Sequence, residues 1–111
     1  MTKHVLKSYL KIRKELRQIT RLLRSPEANI AYDTEEGRQL LALYRAKRDA
    51  LVDAQRMIEE AIDHLDYDER ILLRARYIEG RSWTAVSQEI HYSRSATFAL
   101  HDRAISKLNN L

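Results

Sequence analysis

The residue types best placed to do chemistry lie between Arg74 and Lys107. Ser93 is a helix-capping residue type, and Arg94 and Ser95 follow it directly. A guanidinium at the start of an exposed helix can fork onto the paired acceptors of a guanine edge. An aromatic ring such as Phe98 can rest on a thymine methyl. Helical spacing sets Ala99 and Asp102 on the same face. Arg94, Ser95, Phe98, Ala99 and Asp102 are therefore the candidates for contact with base edges. Arg74, Arg76, Arg81, Ser82, Arg103 and Lys107 suit phosphates, which supply affinity and register but little sequence information.

Other chemistries find less support. His4, His64, His91 and His101 have no metal-ligand spacing, and the chain has no cysteine to complete a zinc site. His101 reads better as a packed residue near a core. Asp63, Asp66 and Asp68 fit an acidic helix end and a cap better than paired catalytic carboxylates or a calcium loop. No Ser/His/Asp arrangement and no Gly-rich phosphate loop is recognisable. The expectation is a binding protein, not an enzyme, with no cofactor.

Three helices are expected to position these side chains. Asp66, with Glu69 three residues on, resembles a capping box opening a bracing helix whose inward face is Ile71, Leu72, Ala75 and Ile78. Gly80 sits where a left-handed C-cap is wanted. Ser82 caps the next helix, with Trp83, Val86 and Ile90 turned inward. His91-Tyr92 makes the turn, where glycine would meet a left-handed conformation at least cost. After Ser93 the last helix buries Thr97, Leu100, Ala104 and Leu108, with His101 near the centre and Ile105 at the edge. Its opposite side carries Arg94, Ser95, Ala99, Asp102, Arg103 and Ser106.

Upstream, Val5, Tyr9, Ile12, Leu16, Ile19 and Leu23 recur at alternating four- and three-residue intervals. That is a heptad seam, widened by Leu6, Leu10 and Leu22, on a helix predicted over 2–24. Ser25-Pro26 ends it. Residues 25–34 read as a connector. A second helix over 34–65 repeats Tyr44, Leu51, Ile58 and Leu65 every seven residues, with Leu40 or Leu41 between and Gly37 as a weak point. The two helices are expected to pair antiparallel, and the apolar surface left over on the longer one predicts a homodimer. The basic first helix could also lie on a membrane or touch nucleic acid, but the regular seam favours packing.

Charge divides the chain of 111 residues in the same way. Residues 1–26 hold eight basic groups against one acidic, 27–68 five against eleven, and 69–111 seven against four. A basic arm, an acidic middle and a basic tail add to a net +4. Two glycines and one proline favour helix almost throughout. No apolar run approaches the roughly 20 residues that span a bilayer, and the N-terminus lacks the apolar core of a secretory signal. No membrane association and a reducing cytoplasm are expected.

Residues 66–108 resemble the C-terminal helix-turn-helix, region 4, of bacterial sigma factors. The likeness rests on DERILLRARYIEG, on the Trp-x-x-Val of SWTAVSQEI, on Ser93, and on Arg103-Ala104 before Leu108. RYIEGRSWTAVSQEIHYSRSATFALHDRAISKL is more similar still to small phage proteins of the RinA/ArpU type, activators of late genes in phages of Gram-positive bacteria. Members often carry a basic residue near the position held by Ala99, a departure that bears on individual base contacts. The resemblance implies an activator that binds double-stranded promoter DNA in the bacterial cytoplasm, at the nucleoid, and touches host RNA polymerase. The resulting expectation is all-α: a coiled-coil-like antiparallel hairpin over 1–65 for packing and oligomerisation, then a three-helix, sigma region 4-like helix-turn-helix over 66–111. The alternative is an oligomerising assembly protein, such as a phage DNA-packaging subunit, in which the helix-turn-helix is structural.

Overall fold

The structure, a computed structural model, describes residues 1–110. It consists of α1 (Lys3–Lys7), α2 (Tyr9–Leu23), α3 (Pro26–Ala31), α4 (Glu35–Asp63), α5 (Tyr67–Leu73), a π-helical turn (Arg74–Ile78), α6 (Trp83–Ile90) and α7 (Arg94–Asn109). Among the described residues there is no strand, in line with an all-α chain. Among the described residues no helix is long and apolar enough to cross a membrane.

The chain divides into two compact units, but not at residue 65. One unit combines Met1–Leu10 with Met57–Leu111, and the other is Lys11–Arg56. Leu111 of the expected 66–111 domain lies outside the described residues. The first ten residues join the C-terminal unit because Leu6 and Tyr9 are buried there, 0% and 2% exposed. The Met1 amino group also donates to the Leu108 carbonyl at 2.9 Å.

The helix predicted over 2–24 is in fact two. Ser8 interrupts it: its amide and its hydroxyl both bond back to the Val5 carbonyl, at 3.1 and 2.5 Å. A serine that competes for backbone groups in this way breaks an α-helical ladder. The break turns Leu6 inward in place of Val5, which is 39% exposed. Leu10 and Leu22 are exposed as well, so they do not widen a buried stripe.

Residues 25–34 are not a plain connector. Pro26 cannot continue α2, yet its fixed φ starts α3, where its missing N–H costs nothing. Ser25 caps that helix by accepting from the Ala28 amide at 3.4 Å. Gly37, read as a weak point, is required. A Cβ there would lie 2.0 Å from the Ala31 carbonyl oxygen. Within Lys11–Arg56 the buried apolar side chains are Ile19, Ala28 and Leu41. Leu22, Ile30, Tyr32, Leu40, Leu43 and Val52 of the same unit stay exposed.

The other unit has the larger core: Ile58, Ile62, Leu72, Leu73, Ala75, Tyr77, Ile78, Val86, Leu100, Ala104 and Leu108. The bracing helix does not stay α-helical to Gly80. It loosens to a π turn after Leu73, where the Glu79 amide bonds the Arg74 carbonyl at 2.9 Å. The wider turn brings Leu73 and Tyr77 inward beside Leu72, Ala75 and Ile78, a broader buried face than α-helical spacing predicts. Gly80 then closes the segment at φ +70, with Leu10 Cδ1 so near that an added Cβ would sit 2.9 Å from it.

Candidate nucleic-acid interface

Two short polar caps and one left-handed residue set the angle between α6 and α7. The Ser82 hydroxyl accepts from the Ala85 amide at 3.2 Å, and the Ser93 hydroxyl accepts from the Ala96 amide at 3.2 Å. Between them His91 adopts φ 60, ψ 37. Its amide bonds the Gln88 carbonyl and the Tyr92 amide the Ser87 carbonyl, the paired bonds of a Schellman ending. The Tyr92 hydroxyl donates to Asp68 at 2.6 Å, tying the turn back to α5. That bond raises the Tyr92 pKa above its ordinary value, because ionising the phenol would set it against a carboxylate.

α7 divides sharply into two sides. Thr97, Leu100, His101, Ala104 and Leu108 are buried, and Arg94, Ser95, Ala99, Asp102, Arg103 and Ser106 are exposed. Phe98, 37% exposed, lies between the two sides. All five residues expected at base edges therefore share one open surface. Arg94 stacks over Phe98, 5.8 Å from its centroid. Phe98 meets Trp83 edge-on at 5.0 Å, and Arg76 covers Trp83 at 4.7 Å. The result is a continuous strip of cation, ring, ring and cation running from α7 across α6 to the π turn.

Beneath this strip His101 is held on two sides. Its Nε2 lies 2.6 Å from the Tyr77 hydroxyl and its Nδ1 3.2 Å from Asp102 Oδ1. Nδ1–H donating to the carboxylate, with Nε2 accepting from tyrosine, satisfies both contacts with a neutral ring. Burial pushes the His101 pKa below its ordinary value; Asp102 opposes this, and the Lys3 and Arg76 charges reinforce it. Burial likewise raises Tyr77. His101 is a core residue, as its place in the pattern implies.

The phosphate candidates are less uniform. Lys107 donates to Glu69 at 2.7 Å and to Asp66 at 3.0 Å. These bonds raise the Lys107 pKa and lower that of Asp66. The expected capping box is therefore absent. The Asp66 side chain makes no capping bond to a backbone amide of its helix, and Glu69 is 2% exposed and turned toward Lys107. Arg74 pairs with Asp63 at 3.1 Å, and Arg81 pairs with Glu89. Ser82 is occupied by its cap. Arg76 donates to the Arg81 carbonyl at 2.9 Å while lying over Trp83. Arg103 stays exposed, with Glu69 no nearer than 4.0 Å.

Two cations near the strip were not singled out by the sequence. Lys3 and Lys7 line a half-open cavity of about 340 Å³ together with Arg76, Tyr77, Gly80 and Trp83. No local signal links them to α6, since some 75 residues of chain intervene. Among the described residues no group of histidines and carboxylates could hold a metal ion. No protein-family model matches the chain, and no curated protein or solved structure matches it.

Proposed function

We propose that the chain is a sequence-specific DNA-binding transcription regulator, with α6, the His91-Tyr92 turn and α7 forming a helix-turn-helix braced by α5 and the π turn. The observation that carries this reading is the division of α7: a buried stripe, and an open side that begins with Arg94 and Ser95 one residue after a serine cap. That is where a recognition helix reaches base edges. The cation–aromatic strip supplies positive charge beside it. Resemblance to the RinA/ArpU-type phage activators extends the proposal to late-gene promoters and to contact with host RNA polymerase, in the bacterial cytoplasm at the nucleoid.

A homodimer belongs to the same proposal. Lys11–Arg56 buries few large apolar side chains and leaves Leu22, Ile30, Leu40, Leu43 and Val52 open. On α4, Leu40, Leu43, Ala50 and Ala54 share a stripe at intervals of three, seven and four residues, with Lys47 interrupting it between Leu43 and Ala50. This stripe is separate from the one that contains Leu41 and Ile58, and it suits a second copy of the same helix. The finer arrangement, an N-terminal hairpin that oligomerises and a C-terminal head that reads DNA, is proposed on these grounds. The rival reading, an assembly subunit such as a packaging component, draws on the same apolar stripe.

Selection from a random duplex pool separates the two. The expected result is an enriched motif bound by a dimer, with affinity falling steeply as salt rises. A many-subunit ring with no enriched motif would overturn the regulator in favour of the assembly protein.

A further inference from the structure

The residues expected to meet phosphate are mostly engaged within the protein. Carboxylates hold Arg74, Arg81 and Lys107. Lys3 and Lys7 differ: both are exposed, and no ion pair among the described residues includes either. They belong to the same compact unit as α6 and α7. They line a cavity with Arg76 and Trp83, and no acidic residue lines it with them. Leu6, Leu10 and Gly80 complete its walls, and the approach of Leu10 to Gly80 fixes the start of α2 against the α6 side of the unit.

Ring contacts link the cavity to α7. Trp83 lines it, Phe98 touches Trp83, and Arg94 covers Phe98. Phe98 and Trp83 thus link Arg94 to Arg76, and the cavity sets Arg76 beside Lys3 and Lys7. At about 340 Å³ and half open, the cavity is at the small end for an enclosed organic ligand. Three cations around a shallow, ring-floored recess suit a phosphodiester that passes over it.

We infer that Lys3 and Lys7 of α1, with Arg76, form a phosphate clamp that holds the DNA backbone beside the base-reading start of α7. This rests on the proposed DNA-binding reading and deepens it. An N-terminal element remote in sequence becomes part of the duplex interface and extends the footprint past the helix-turn-helix. Such contacts would fix register and leave base preference unchanged.

The test compares the unaltered chain with the double variant Lys3→Gln/Lys7→Gln on the selected duplex, by fluorescence anisotropy from about 50 to 200 mM salt. Two lost phosphate contacts in each protomer, four in the bound dimer, should reduce the slope of log affinity against log salt by about 4. The Lys3→Arg/Lys7→Arg variant should keep the original slope, and Lys11→Gln/Lys14→Gln should change it little. Trp83 is the chain's single tryptophan and reports directly on the cavity. Its emission should respond to duplex and not to inorganic phosphate at matched ionic strength. An unchanged slope in Lys3→Gln/Lys7→Gln, or an equal loss in Lys11→Gln/Lys14→Gln, overturns the clamp and leaves the parent reading standing. A Trp83 response to inorganic phosphate without one to duplex also overturns the clamp. Absence of any duplex binding by the unaltered chain overturns both.

Discussion

Replacing Gly37 by alanine should weaken the fold, although helix propensity alone points the other way. Within an α-helix, Gly→Ala is worth at most roughly 1 kcal/mol in favour of alanine. Here the new Cβ would stand 2.0 Å from the Ala31 carbonyl oxygen and 2.8 Å from Thr34 Oγ1. Carbon and oxygen that merely touch sit about 3.3 Å apart. The end of α3 and the start of α4 must therefore separate by more than about 1 Å. Overpacking of this kind costs about 1–3 kcal/mol. The shift also breaks the cap in which the Gly37 amide donates to Thr34 Oγ1 at 3.0 Å, a loss of about 1 kcal/mol. Set against the propensity gain, the net loss is about 1–3 kcal/mol. Urea unfolding followed by far-ultraviolet circular dichroism measures it. With a slope of about 1–3 kcal/mol per molar urea, the midpoint should fall by on the order of 1 M at unchanged slope. A midpoint equal to or above that of the unaltered chain would refute the argument and the α3–α4 geometry behind it.

Two further outcomes follow from the C-terminal unit. His91 holds a left-handed conformation that costs an L-residue about 1–2 kcal/mol, partly offset by the greater freedom that glycine loses on folding. His91→Gly should therefore raise stability by about 0.5–1 kcal/mol in the same urea assay, and a lower midpoint would count against the Schellman turn. Burial keeps His101 neutral in the folded protein at pH values where the unfolded chain is already protonated. The unfolded state then binds more protons, so stability is full above the unfolded value near 6.5 and declines as the pH falls from there toward the depressed folded value. His101→Gln should flatten that decline between about pH 7 and 5, and a midpoint that rises on acidification would refute it.

Local chemistry made the caps and the sides of the C-terminal helices legible in advance. Ser82, His91 and Ser93 act through backbone groups a few residues away, and the stripe from Thr97 to Leu108 follows helical spacing alone. What stayed hidden depends on contacts between segments distant in sequence. Gly37 looks like a defect until the Ala31 carbonyl is placed against it. The π turn adds Leu73 and Tyr77 to a core that α-helical spacing would not give them. Lys107 looks like a phosphate ligand until Glu69, 38 residues earlier, is found buried beneath it. Hydrophobic period misled most on α1, where the break at Ser8 turns Leu6 inward in place of Val5. Lys3 and Lys7 read as part of a solvated basic arm, and only tertiary contact sets them beside Trp83.

Sequence-specific binding by this chain depends most on the open start of α7 meeting base edges. Affinities of the unaltered chain and of Arg94→Ala should be compared on the selected duplex and on each of its single base-pair variants. Arg94→Ala should lose discrimination at one base pair, by about 1–3 kcal/mol, while discrimination elsewhere stays as it was. An equal weakening on every duplex, with the same base preferences retained, would contradict the account, since α7 would then be holding DNA without reading it.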